Sequence, residues 1–184
     1  MIYPIVVYGS PILRKVAREV ERDYPALKQL VADMFETMYV SDGVGLAAPQ
    51  IGKSLRIFVI DGTAMAEDDP SLEGFRKAFI NPKIIEETGD IWTFTEGCLS
   101  LPTLREDVER PGNIRIQYFD DDFNFYDESY TGVKARIIQH EFDHLQGILL
   151  IDHVTPLKKK MLKGKLNDIM KGKVKVAYKV KVLK

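Results

Sequence analysis

GVKARIIQHEFDHLQG, residues 132–147, is the stretch on which the reading of this chain turns. Val133, Ile137, Ile138, His140, Glu141, His144 and Leu145 recur at helical spacing, and Gly147 is placed to end the helix. Inside it, His140-Glu141-Phe142-Asp143-His144 fits the pattern H-E-x-x-H. Residues four apart share one helix face, so two imidazoles can converge on one metal ion with Glu141 beside them. Glu141 follows directly on His140 and points off the direction the histidines share, which leaves it to move protons. The ligands therefore sit on a rigid central helix.

A third ligand is available in Glu96-Gly97-Cys98-Leu99-Ser100. Cys98 is the single cysteine, so no disulfide can form within the chain and no C-x-x-C zinc site can be built. A Cys98 thiolate beside His140 and His144 leaves one tetrahedral position open for water, as in catalytic rather than structural sites. Each part alone has a plainer reading. A helical histidine is more often core or surface than ligand, and a free cysteine more often a small buried hydrophobe. Together they point to a metal-dependent hydrolase.

Outward from the helix, residues 25–40 place Leu27, Leu30, Val31, Met34, Phe35 and Met38 on one face, with Pro25 suited to the first turn and Asp42-Gly43 to the stop. Leu55 to Ile60, Phe79 to Ile85, Asn113 to Phe119 and Phe125 to Tyr130 read as strands, the last two joined by a turn at Asp120-Asp121-Asp122. The expected fold is α+β: mostly antiparallel sheet packed around the metal-binding helix in a single domain. Asp61 to Arg76, acidic around Glu67-Asp68-Asp69-Pro70, reads as a mobile surface loop. Residues 156–170 read as one Lys-rich helix. Lys173 to Leu183 alternates lysine with apolar residues, the period of a half-buried strand expected to pair with a sheet edge.

At 184 residues, with 45% hydrophobic content and a net charge of −1, the chain is an ordinary globular one without a membrane-length apolar run. Its start, MIYPIVV, lacks a basic n-region, and with one unpaired cysteine it reads as cytoplasmic. Charge is unevenly spread. Residues 156–184 hold eleven lysines and one acid, Asp168, whereas residues 1–155 hold fifteen basic and twenty-six acidic residues. This divides the chain into a catalytic body, 1–155, and a basic extension, 156–184, of the same domain. Such a segment is either merely solvated or drawn to phosphate backbones.

The glycine-rich stretch Gly43-Val44-Gly45-Leu46-Ala47-Ala48-Pro49-Gln50 lacks the Lys-Ser/Thr ending of a P-loop and follows no strand, so phosphate binding is improbable. The three segments in this order, G-x-G-x-A-A-x-Q, E-G-C-L-S and Q-H-E-x-D-H, resemble the peptide deformylases over residues 5 to 155. That resemblance implies removal of the formyl group from the N-terminal formylmethionine of nascent polypeptides, releasing formate. It assigns Cys98, His140 and His144 to the metal, Glu141 to general base and acid work on the attacking water, and Gln50 with the Leu99 N–H to the oxyanion.

By the same resemblance, backbone around Val44-Gly45 and Glu96-Gly97 would pair with the extended substrate. Val44, Phe94, Val133 and Ile137 would form the methionine pocket, and Arg105 would face its mouth. All four apolar residues have an alternative as plain core, Gln50 as a turn residue and Arg105 as a solvated surface residue. Arg136 departs from the family, standing where many members carry an apolar residue, and is expected to reshape the pocket entrance. His153 matches no ligand position and is expected to be structural or exposed. The implied cofactor is one divalent metal ion per chain, ferrous iron in vivo with zinc, nickel or cobalt able to bind. The basic extension is expected to contact ribosomal RNA through Lys158 to Lys184, with no membrane or DNA partner. Two rivals predict other features: an H-E-x-x-H peptidase needs a further His or Glu ligand downstream, and a ribosome-binding protein with a structural metal needs a closed shell.

Overall fold

The computed structural model describes residues 1–182. Five strands form an antiparallel sheet in the order β2-β3-β4-β5-β6: β2 (Gly45–Ala47), β3 (Ile57–Asp61), β4 (Arg76–Gly97), β5 (Arg105–Phe119) and β6 (Phe125–Thr131). Helix α2 (Gly132–Leu145) packs across β2, β3, β5 and β6, and α1 (Leu27–Val40) lies against β2 and β3. The two helices bury their apolar faces against the sheet, Leu30, Met34 and Met38 from α1 and Ala135 and Ile138 from α2. The result is the expected α+β architecture around a central helix.

Several elements differ from expectation for identifiable reasons. α1 begins at Leu27 rather than at Pro25, because Ala26 takes a left-handed conformation with φ 54° and sets the entry angle. It ends as expected, with Asp42 left-handed at φ 58° and the Gly43 N–H donating to the Met38 carbonyl at 3.0 Å. β4 is far longer than the apolar run at 79–85 suggests. Register shifts at Ile80/Lys83, Ile84/Glu86 and Thr88/Ile91 bend it, so its second half leaves the core and delivers Glu96 and Cys98 to α2.

The 61–76 segment is not a loose loop. It forms short helical turns at Thr63–Met65 and Pro70–Leu72, and Leu72 is fully buried and pins it to the body. The Lys-rich stretch is two helices, α3 (Pro156–Met161) and α4 (Lys163–Met170), broken at Leu162, which turns inward with Leu166 and Ile169. Among the described residues the tail pairs with no edge of the five-stranded sheet. Its β7 (Val180–Lys181) lies parallel to β1 (Ile5–Val6) in a separate two-stranded ribbon. Leu183, the last residue of the expected strand, and Lys184 lie outside the described residues. Among the described residues, no helix is long and apolar enough to cross a membrane.

Candidate metal centre

Cys98 follows β4 directly, at the head of a turn closed by the Leu101 N–H on the Cys98 carbonyl at 2.9 Å. His140 and His144 stand one turn apart on α2, which brings the three donor atoms within 4.8 Å of one another. Cys98 Sγ lies 3.4 Å from His144 Nε2. Glu96 Oε2 sits 2.8 Å from His140 Nδ1, so that nitrogen carries the proton and Nε2 is left for the site. Burial pushes the Cys98 thiol up, but the His144 and His140 imidazoles more than offset this and bring it down to about 5. Burial pulls the other way on His140, whose proton affinity rises well above normal because Cys98 and Glu96 face it. A metal ion taking these three donors would replace that proton.

Glu141 is buried beside the cluster. Burial raises it to about 7 despite the two imidazoles, and its Oε2 has no hydrogen-bond partner among the described residues. An orphaned buried carboxylate oxygen next to a thiolate and two imidazoles fits a centre meant to hold a metal and a water. Gly45 makes room for it. A Cβ there would stand 2.7 Å from Glu141 Cδ, so only glycine lets β2 pass so close. Gln50 is buried too, its Oε1 accepting from the Ala47 N–H at 2.8 Å while Nε2 faces Ser100 Oγ at 3.2 Å and Cys98 Sγ at 3.7 Å. The Leu99 N–H has no acceptor among the described residues and stands next to the thiolate.

Cys98, Leu99, His140, Glu141 and Gln50 open onto a cavity of about 740 Å³. Val44, Gly45, Phe94, Glu96, Gly97, Arg105 and Ile137 line it as well, whereas Val133 does not and packs instead into the core under the sheet. Arg136 also lines the cavity, but as a buried part of its wall. It is 1% exposed, and its Nη1 donates to Glu96 Oε1 at 3.1 Å and the Val108 carbonyl at 3.0 Å, its Nη2 to the Trp92 carbonyl at 2.6 Å. The guanidinium also lies 4.6 Å from the Trp92 ring centroid, bracing the far half of β4. His153 is a surface residue with a structural contact, Nε2 to Asp143 Oδ2 at 2.7 Å.

The sequence reading missed the support behind the ligands. Glu96 acts through its side chain as well as its backbone: Arg110 grips both its oxygens, at 2.8 and 3.1 Å, and reaches on to Asp143 at 2.8 Å. Also missed was the tail, since Val176, Ala177 and Tyr178 line the same cavity. The tail's alternating pattern marked Tyr178 as inward-facing but could not say toward what.

A family profile described as polypeptide deformylase matches residues 2–160. The chain belongs to the polypeptide deformylase family. It is 51% identical to a peptide deformylase of Cytophaga hutchinsonii, covering 98% of this chain and 97% of that one, and 49% identical to one of Christiangramia forsetii, covering 98% and 96%. Among solved structures it resembles the peptide deformylase of Thermus thermophilus, with a TM-score of 0.82 and 39% identity over 93% of this chain and 99% of that one. That of Legionella pneumophila gives 0.80 and 37% over 94% and 98%. Deformylases are metal-dependent hydrolases that remove the N-terminal formyl group from nascent polypeptides, and this chain is an enzyme of that kind.

Proposed function

We propose that Cys98, His140 and His144 hold the catalytic metal, that Glu141 carries the proton, and that Gln50 and the Leu99 N–H receive the developing oxyanion. The observation that carries this is the convergence of three soft and borderline donors within 4.8 Å beside a buried carboxylate oxygen without a partner. A divalent metal bound there would activate water and polarise the formyl carbonyl. Glu141 accepts the proton of the attacking water and delivers it to the departing amine nitrogen, which its raised proton affinity suits. The Gln50 amide, locked from behind by Ala47, and the free Leu99 N–H donate to the carbonyl oxygen as it gains charge. The backbone of Val44-Gly45 and Glu96-Gly97 borders the cavity as two chain segments against which an extended peptide can lie, with Val44, Phe94 and Ile137 as an apolar pocket for the methionine and Arg105 at its mouth.

Ferrous iron is the metal proposed in vivo, with zinc, nickel or cobalt as substitutes. A lone thiolate ligand reached by water is open to oxidation, so the site suits the reducing cytoplasm. The basic extension is proposed to contact ribosomal RNA. Lys163 and Lys165 are exposed, and no ion pair engages them among the described residues.

The test is formate release from a formyl-Met peptide by anaerobically prepared protein loaded with iron, nickel or zinc, beside Glu141→Ala. Wild type should turn over, and the variant should keep one metal per chain while losing about 10² to 10⁴ in kcat. A metal-replete variant with full turnover removes Glu141 from the mechanism. Gln50→Ala should lose about 10² to 10³.

A further inference from the structure

The residues so far assigned to chemistry all fall inside the span matched by the family profile, yet one side chain beyond it touches the reaction's surroundings. Tyr178 is half-buried, lines the catalytic cavity with Val176 and Ala177, and donates its hydroxyl to the Leu99 carbonyl at 2.9 Å. Leu99, next to Cys98, is the residue whose own N–H has no acceptor among the described residues. Its side chain is seated from the opposite direction, since a Cβ on Gly43 would come within 2.9 Å of Leu99 Cδ1. The residue is therefore clasped between the loop before β2 and the C-terminal tail.

We infer that Tyr178 is a positioning residue for deformylation: by holding the Leu99 carbonyl it fixes the peptide plane that follows Leu99 and, through it, the short turn whose first N–H receives the oxyanion. This rests on the proposed role of that N–H. Among the described residues the turn from Cys98 to Leu101 has one internal backbone bond, Leu101 N–H to the Cys98 carbonyl, and is braced from outside at Ser100, whose carbonyl accepts from the Tyr8 N–H at 2.9 Å and whose hydroxyl faces Gln50 Nε2 at 3.2 Å. Tyr178 supplies the matching brace on Leu99. A donor helps catalysis only if it already points where charge will develop, so a turn free to rock forfeits part of its effect.

The tail that carries Tyr178 is itself fastened at the β1 ribbon. The Ile5 N–H donates to the Lys179 carbonyl at 2.8 Å and the Val7 N–H to the Lys181 carbonyl at 3.1 Å. Those bonds flank Tyr178 on its C-terminal side and set the reach of its hydroxyl. The ring packs against the core cluster formed by α1 and the first strands. The tail thus closes one side of the cleft with a defined side chain, although its outer lysines are solvated.

Tyr178→Phe keeps the ring and removes only the hydroxyl. Loss of one neutral hydrogen bond used for positioning corresponds to about a 2- to 10-fold fall in turnover. With formyl-Met peptides, kcat should fall by about that factor while KM stays within 2-fold, metal stays at one per chain and the melting temperature is little changed. A lower melting temperature with kcat intact would make Tyr178 a packing residue only, and no change in either would make the contact idle; both overturn the inference. Independently, in zinc-loaded protein labelled with ¹⁵N-leucine, the Leu99 amide should be as ordered as the core and should loosen in the variant. An order parameter below about 0.6 in wild type would also overturn it, even if the variant failed to fold. Lys175→Ala, exposed on the same tail and away from the cavity, is the control. Wild type failing to release formate would instead remove the proposed function, a distinguishable outcome.

Discussion

Behind the proposed metal ligands the molecule buries its charges, and along the C-terminal segment it leaves them in water. Glu96, 5% exposed, takes hydrogen bonds from Arg110, Arg136 and His140, and Arg110 passes on to Asp143, which meets His153. On α3 and α4, by contrast, lysine ion pairs are confined to Lys158 with Glu106 and Lys159 with Asp152 among the described residues. Desolvated charges with several fixed partners hold an imidazole in one orientation, whereas solvated ones contribute little to the fold and stay available to a partner.

Glu96→Gln tests the buried side hardest. It leaves Arg110 and Arg136 without their carboxylate, at a cost of about 3 to 5 kcal/mol in the denaturation free energy. Burial pushes the Glu96 carboxyl up, but His140 and Arg110 hold it well below the usual carboxylate range. A depressed folded-state pKa gives stability that is complete above the ordinary carboxylate value and fades as pH falls below it. The gap between wild type and variant should therefore be widest near pH 7 and narrow toward pH 3; an equal gap at both would break the comparison.

Arg136→Met replaces a strut by an apolar chain of similar reach and strands the Trp92 and Val108 carbonyls, costing about 1 to 3 kcal/mol. Its effect should appear in melting temperature and in KM for formyl-Met peptides, because the far half of β4 carries Phe94. A change confined to kcat would contradict the bracing role. Alkylation of metal-free protein checks the electrostatics of the cluster itself. Iodoacetamide should attack Cys98 at a rate that levels off above about pH 6, reflecting a thiol near 5, and metal should block it. A rate still climbing through pH 8.5 would show that the imidazoles do not stabilise the thiolate. The smallest effect belongs to the solvated side. Changing Lys163 and Lys165 to serine should leave stability within about 0.5 kcal/mol and free-peptide turnover unchanged. The same pair should weaken cosedimentation with ribosomes and flatten its salt dependence; unchanged binding would dismiss the RNA contact.

Local chemistry was readable in the sequence and long-range partnership was not. The α2 helix and the convergence of Cys98, His140 and His144 follow from spacing and motif, because the four-residue repeat and the single cysteine constrain what their neighbours can be. The four strands were found by their apolar runs, yet the outer half of β4 was invisible: Glu86 to Asp90 is exposed and polar and the strand bends at bulges, so the apolar run ends before it. The core position of Val133 and the buried setting of Arg136 were missed for a related reason. Both lie on α2 facing walls whose distance depends on how β4 and β5 curl, and Arg136 finds backbone carbonyls that no pattern announces. Pro25 and the 156–170 helix failed at single residues, Ala26, which takes a left-handed conformation, and Leu162, which turns into the core. Tyr178 lay in a stretch whose period was right, but its target, Leu99, is 79 positions away.

The parallel pairing of Ile5–Val6 with Val180–Lys181 also sets an order of events. A strand near the start of the chain must wait, its N–H groups open, until residue 181 has been made and has left the exit tunnel. During synthesis the cleft is thus one-sided, and the bonds that seat Tyr178 beside Leu99 are among the last that this part of the fold can make.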